Sequence, residues 1–432
     1  MSEMNVEAVA RQAREASFAL AASSAQGRNA ALLAVADELE RRSAAIFEAN
    51  RQDMEAAEAD GLSAPILRRL RFDAHKLSDV CCGLRELAAM EDPIGHEQLR
   101  RELADGLVLS RVSCPIGVIG VIFEARPDAL VQIAGLCLKS GNAVLLKGGR
   151  EAMRSNAALF AAITDAGRAA GLPEGWAGLL ATREDVSRML GLDREIDLII
   201  PRGSNAFVRS IMEKSRIPVL GHSDGVCHLY MDADCDAALA ARVAVDAKTQ
   251  YPAACNAAET LLVHSAQLHT GLPVVAEALL LAGVRLRADE RARAAIGEAR
   301  CEAAGEADVG AEYLDLVMCV RVVDSLEEAI AAINRHGSHH TDAILTRNDA
   351  AAEKFFALVD SAGVYQNCST RFADGYRYGF GAEVGISTGK LHARGPMGLE
   401  GLCSYKYILR GHGDVVADFA DGRRSFTHRE LL

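Results

Sequence analysis

The chain has 432 residues, 50 % of them hydrophobic, a length that at roughly 100–200 residues per domain predicts two or three domains with sizeable cores. Its formal net charge of −12 argues against a nucleic-acid groove, which needs clustered Lys and Arg, so any anionic ligand must be held by local groups. No apolar run is long enough to cross a membrane, and the start Met1-Ser2-Glu3-Met4-Asn5 has neither a basic nor an apolar leader region, which predicts a cytoplasmic protein without membrane contact; 11 cysteines without C-x-x-C pairs predict reduced thiols.

Along the chain, residues 28–59 read as one long amphipathic helix: Ala, Leu and Val recur three and four apart, and Gly61 follows a polar end. Residues 99–112 differ in texture. Asp105-Gly106 sits between two short alternating runs there, a β-hairpin signature that predicts a protruding arm. From Ile116 onward, apolar β-branched runs at 116–123, 143–147, 196–200 and 226–231 are separated by helical segments, the pattern of a parallel sheet covered on both faces. A second α/β region follows, with strand-like runs at 260–263, 317–323, 342–346 and 363–366 and helices at 325–335 and 349–358. Residues 404–409 read as one more strand, and the tail from Gly411 reads as frayed and polar.

Cys255 is the leading candidate for chemistry. It lies among small residues in a Pro-bearing turn, Tyr251-Pro252-Ala253-Ala254-Cys255-Asn256-Ala257, where a substrate carbonyl has room to approach the sulfur; a buried structural thiol is the alternative. Lys147 ends a strand and precedes Gly148 and Gly149. Ligands of open α/β sheets bind beyond the strands' carboxyl ends, where an ammonium reaches a ribose hydroxyl or a phosphate; otherwise Lys147 is a solvated strand-end lysine. Gly117 and Gly120 do not complete a G-x-G-x-x-G fingerprint. His336, His339 and His340 look like a metal cluster, but the spacing lacks the H-E-x-x-H glutamate and no neighbouring Cys or carboxylate completes a site, so no metal is expected and a metal-dependent hydrolase is disfavoured.

The order of these elements resembles the aldehyde dehydrogenase superfamily, and the detailed motifs look like one of its families, the γ-glutamyl phosphate reductases. The matching runs are Pro-Ile-Gly-Val-Ile-Gly-Val-Ile (115–122), Glu-Ala-Arg-Pro (124–127), Gly-Asn-Ala-Val-Leu-Leu-Lys-Gly-Gly (141–149), Ile-Pro-Arg-Gly (200–203) and Ala-Lys-Thr-Gln (247–250), with Cys255 close behind. Asp-Ala-Ile-Leu-Thr (342–346), Ser-Thr-Arg-Phe (369–372) and Leu-His-Ala-Arg-Gly-Pro-Met-Gly-Leu (391–399) follow in family order.

The resemblance implies an aldehyde-dehydrogenase-like fold: two three-layer α/β domains with parallel sheets and a β-hairpin oligomerisation arm. Residues 1–98 and 115–225 would form the NADPH-binding domain, 99–114 with 402–412 the arm, 226–401 the catalytic domain and 413–432 a polar tail. Lys147 would hold the adenosine ribose and its phosphate, Arg150 the 2′-phosphate that distinguishes NADP from NAD, and Gly203 and Ser204 the pyrophosphate at a helix N-terminus. Glu312 lies where the superfamily has a glutamate on the nicotinamide ribose; a surface carboxylate is the alternative. The implied reaction is reduction of L-glutamyl 5-phosphate to L-glutamate 5-semialdehyde, the second step of proline synthesis from glutamate, through a thioacyl intermediate on Cys255. Other acylating or hydrolytic aldehyde dehydrogenases and a non-catalytic paralogue are the rivals. Arg126 stands where hydrolytic members carry an asparagine oxyanion donor and would contact oxyanion or phosphate, with Asn256 beside Cys255 as a second candidate, unless Arg126 only pairs with Asp128 or Glu124. Gly221 stands where those members carry a deacylating glutamate. Arg371, His392 and Arg394, in loops, would bind substrate or else buttress those loops. A homo-oligomer and transient contact with glutamate 5-kinase are expected.

Overall fold

The computed structural model describes residues 5–222 and 224–432; residues 1–4, which carry the start read above as leaderless, and Ser223 lie outside them. Two parallel sheets dominate. In the first, strands Val118–Ile122, Ala143–Lys147, Ala177–Leu179 and Leu198–Pro201 pair in parallel with Ala143–Lys147 and Val118–Ile122 at the centre. Both central strands are wholly buried, which is why they read as continuous apolar runs rather than alternating ones. Side chains nevertheless divide with period two. Ile119, Val121, Val144 and Leu146 join the core built with helices Ala25–Arg41, Ala74–Ala89, Pro127–Lys139 and Met153–Ala169, whereas Val118, Ile122, Ala143 and Leu145 face helices Val6–Ala21, Arg183–Met189 and Asn205–Lys214. Burying each such aliphatic side chain contributes about 1.5–3 kcal/mol.

The second sheet has seven parallel strands, including Cys227–Met231, Ala258–His264, Val317–Val323, Thr341–Leu345 and Gly363–Gln366. Helices Ala237–Thr249 and Gly271–Leu281 cover one face and Leu326–His336 with Asp349–Leu358 the other. The arm is a separate antiparallel sheet in which Cys403–Arg410, Leu107–Pro115, Glu97–Ala104 and Arg429–Glu430 pair in that order. Its hairpin turns at Asp105 and Gly106, where φ of +75° suits glycine.

Two expectations are corrected. Residues 28–59 are not one helix: the chain bends at Arg42 (φ −92°, ψ 10°) into Ala25–Arg41 and Ser43–Ala59. Arg42 reaches Asp165 at 2.9 Å on Met153–Ala169, and the bend lets both helices follow that curved surface. Nor is the tail frayed. It forms helix Val416–Ala420, stacks Phe426 between Phe419 and His428, and adds Arg429–Glu430 to the arm through ion pairs Arg101–Glu430 at 2.5 Å and Arg429–Glu102 at 2.8 Å. Composition made it look solvated because its pairing with the arm depends on Arg101 and Glu102, far away in sequence. Among the described residues no helix is long and apolar enough to cross a membrane.

Candidate active site

Cys255 lies between helix Ala237–Thr249 and strand Ala258–His264 in two successive turns, where Ala254 N–H donates to Tyr251 O at 3.2 Å and Ala257 N–H to Ala254 O at 2.9 Å. The two ends of this segment are tied together by Lys248 and Glu259, both fully buried, with Nζ and Oε2 2.6 Å apart. Burial pushes Lys248 down and Glu259 up; each partner's opposite charge resists the shift. Gly225 backs Cys255. A Cβ there would lie 2.4 Å from Cys255 Cα, so only glycine permits this approach. Cys255 itself is partly exposed, and its backbone N–H has no partner among the described residues. Burial pushes nine of the other thiols above the ordinary range, and the Glu86 carboxylate does so for Cys82, which suits inert residues.

Positive charge surrounds the sulfur. Arg371 is buried, its Nε donates to Gln250 Oε1 at 2.9 Å, and its guanidinium lies 6.0 Å from the centre of the Tyr251 ring. Burial pushes Arg371 down, Arg377 adds to this, and Cys255 opposes it. Arg202 follows strand Leu198–Pro201. Burial and then Arg126 push it down, while Glu383 and Cys255 counter them; no ion pair holds its guanidinium among the described residues. Arg126 occupies the N-cap of Pro127–Lys139 and reaches Asp128 at 3.8 Å, so the structural pairing considered above does form, yet Arg126 also faces Arg202. Two neighbouring guanidiniums beside a nucleophile suit an anion.

The cofactor candidates divide by position. Lys147 is buried at its strand's end, where burial lowers it and Glu151 opposes that; among the described residues its ammonium has no ion-pair partner. Arg183 also bears on Lys147, and Arg150 is exposed just beyond Gly149. Ser204 caps helix Asn205–Lys214 without a side-chain bond, leaving the leading N–H groups available to an anion; Gly203 precedes it, with no room for a Cβ beside Glu124. Glu312 is not a free surface carboxylate. It accepts from Gly225 N–H at 3.0 Å and from Asn205 Nδ2, joining the helix terminus to the wall behind Cys255.

Other candidates serve the scaffold. Asn256 is buried, donates its side-chain amide to Ala373 O at 2.8 Å and accepts at its backbone carbonyl from Thr370 Oγ1 at 2.7 Å, which fastens the Cys255 turn to the Thr370–Phe372 turn; its side-chain Oδ1 has no partner among the described residues. Arg394 pairs with Asp360 at 3.0 Å, as Lys390 does at 2.6 Å, and His392 bonds Gly401 O at 3.0 Å. The three histidines of the 336–340 run diverge: His336 lines a small cavity with His228, His339 bonds Asp360 O, and His340 turns toward Cys255. Gly221 packs on Pro201, and next to it His222 also faces Cys255. Sequence reasoning missed Arg202, Arg183, His222 and the Lys248–Glu259 pair, and it weighed His340 only with its neighbours His336 and His339, not with Cys255. Arg202 and Lys248 lay inside the motifs that were read, but nothing in their spacing singles them out.

The aldehyde dehydrogenase family matches residues 1–280. The chain is 54 % identical over 428 residues, 99 % of its length and 98 % of the relative's, to the γ-glutamyl phosphate reductase of Pelotomaculum thermopropionicum. It is 55 % identical over 407 residues, 94 % of its length and 93 % of the relative's, to that of Parasynechococcus marenigrum. The crystal structure of γ-glutamyl phosphate reductase from Thermotoga maritima superposes with a TM-score of 0.93 at 38 % identity, covering 95 % of this chain and 99 % of that one. An acetylating aldehyde dehydrogenase from Geobacillus thermoglucosidasius shares the fold, with a TM-score of 0.63 at 15 % identity.

Proposed function

Since the chain belongs to the aldehyde dehydrogenase family and, within it, to the γ-glutamyl phosphate reductases, we propose that it reduces L-glutamyl 5-phosphate to L-glutamate 5-semialdehyde with NADPH, releasing phosphate. The observation that carries this reading is a partly exposed cysteine backed by glycine, flanked by arginines, and linked through Glu312 to an uncapped helix N-terminus.

The Cys255 sulfur attacks the acyl-phosphate carbonyl, forming a C–S bond and a tetrahedral oxyanion. Donors aimed at such an oxyanion are typically worth about 3–4 kcal/mol each, and the unpartnered Cys255 N–H is one of them. Expulsion of phosphate breaks the C–O bond and leaves a thioester on Cys255. Arg126 and Arg202 balance the charge of the departing phosphate, and Arg371 takes the substrate's carboxylate through paired hydrogen bonds. NADPH, when bound, supplies the hydride that reduces the thioester. The residues present fit it: buried, unpaired Lys147 with Arg150 and Arg183 would hold the phosphorylated ribose, the first N–H groups after Ser204 the pyrophosphate, and Glu312 the second ribose. Collapse of the resulting thiohemiacetal returns the Cys255 sulfur and releases the semialdehyde.

The arm supports a homo-oligomer. Tyr405, Tyr407 and Leu409 stand more than half exposed on Cys403–Arg410, an edge strand with free hydrogen-bonding groups. The work is cytoplasmic, and the labile acyl phosphate passes from glutamate 5-kinase by transient contact.

The test runs the reaction backward from glutamate 5-semialdehyde and NADP. Gly221 offers no carboxylate to activate water, so NADPH production should require phosphate and saturate with it, arsenate substituting, and Cys255→Ala should lose at least about a thousandfold in rate. Equal turnover in phosphate-free buffer would mean a hydrolytic dehydrogenase instead.

A further inference from the structure

His222, Cys255 and His340 come from three separate segments: the loop before strand Cys227–Met231, the nucleophile turn, and the residue preceding strand Thr341–Leu345. One ligand atom from each lies within 4.8 Å of the other two. The imidazoles meet edge to face, centroids 5.0 Å apart at 83°. Each ring commits its Nδ1 elsewhere: that of His222 to Ile386 O at 2.9 Å, that of His340 to Thr341 Oγ1 at 2.9 Å. His340 is 1 % exposed, and its Nε2 is buried without a hydrogen-bond partner among the described residues. Buried polar atoms are nearly always satisfied, so this orphan calls for an explanation.

We propose that these three residues form a reversible site for a borderline-soft divalent ion of the zinc type, which on binding takes the Cys255 sulfur out of the reaction. A thiolate and two neutral imidazoles are the donor set such ions prefer, and an imidazole tied through its other nitrogen to a carbonyl or hydroxyl is the usual way a metal-binding histidine is oriented. In a tetrahedral site with bonds of about 2.0–2.3 Å the donors lie roughly 3.3–3.6 Å apart, so the side chains must close by about an ångström. Cys255, in a turn and partly exposed, and His222, half-buried in a loop, have that freedom. Binding displaces the thiol proton to solvent, and the metal's fourth position stays open to water. The cations Arg202 and Arg371 repel a divalent ion, which keeps the site reversible rather than structural.

The test needs no substrate, so its outcome is separate from that of the proposed reaction. Chelator-treated, reduced protein is titrated with cobalt(II). The expected result is one equivalent bound, with a near-ultraviolet thiolate-to-cobalt band and visible bands of a four-coordinate site. Cys255→Ala should abolish the thiolate band, and His222→Gln and His340→Gln should each weaken cobalt binding about tenfold or more. Zinc should displace cobalt, block alkylation of Cys255 by iodoacetamide one for one, and release it on chelation. If His340→Gln does not fold, His222→Gln and Cys255→Ala still decide. A titration showing no thiolate band, or one that these substitutions leave unchanged, overturns the proposal.

Discussion

Two buried lysines, Lys147 at the end of a strand of the first sheet and Lys248 on a helix that covers the second, have opposite fates. Lys248 is fully enclosed and meets Glu259 at 2.6 Å, so its charge is answered within the protein and its job is to hold the two ends of the nucleophile turn. Lys147 is 9 % exposed and has no ion-pair partner among the described residues; Glu151 and Asp185 favour its charge only from beyond ion-pair distance, so the ammonium is left open to an outside anion. Desolvation is costly in both places. A buried charge that is paired marks scaffold; one left unpaired at the carboxyl end of a strand marks a binding site.

The largest expected effect tests the closed pair. Lys248→Met should destabilise the protein by about 3–5 kcal/mol, because it strands the Glu259 carboxylate, whereas Lys248→Met with Glu259→Leu should restore most of that loss. Urea unfolding followed by circular dichroism measures both, and a single variant as stable as wild type would show that the pair is not holding the turn. Lys147→Met is the counterpart. It removes a buried charge that no ion pair holds among the described residues, so the cofactor-free unfolding midpoint should stay level or rise, while NADPH affinity falls by about 1.5–3 kcal/mol, roughly ten- to a hundredfold. Calorimetric titration settles the second part, and a cofactor-free protein as damaged as Lys248→Met would make Lys147 scaffold too. The smallest effect sharpens the open site. Arg150→Glu should weaken NADPH binding about tenfold while changing NADH binding by no more than about twofold, since only NADPH carries the 2′-phosphate. Equal losses for both cofactors would remove Arg150 from the phosphate site.

Much of this was legible beforehand, and for local reasons. Strands 143–147 and 317–323 read correctly because a strand buried on both faces is apolar along most of its length; Lys147 and Arg321 are the exceptions. The hairpin was marked by Asp105-Gly106, and the turns that carry Cys255 by the small residues around it. The bend at Arg42 was hidden because helical periodicity carries across one residue with little change in phase; what turns the chain there is the surface of Met153–Ala169. Arg371 and Arg394 looked equivalent, each an arginine in a loop motif. Folding buries the first beside the nucleophile turn and gives the second to Asp360.

By itself the sequence determined the kind of protein: the alternation of β-branched runs with helices and the order of the motifs are properties of neighbouring residues, which short-range sterics and burial fix. Only the tertiary structure decided which charges face one another. Arg126 and Arg202 follow strands of the first sheet, His222, Gly225 and His340 precede strands of the second, and Glu312 lies in a loop, so these groups meet only through folding, and charge interactions depend on distance through space rather than along the chain.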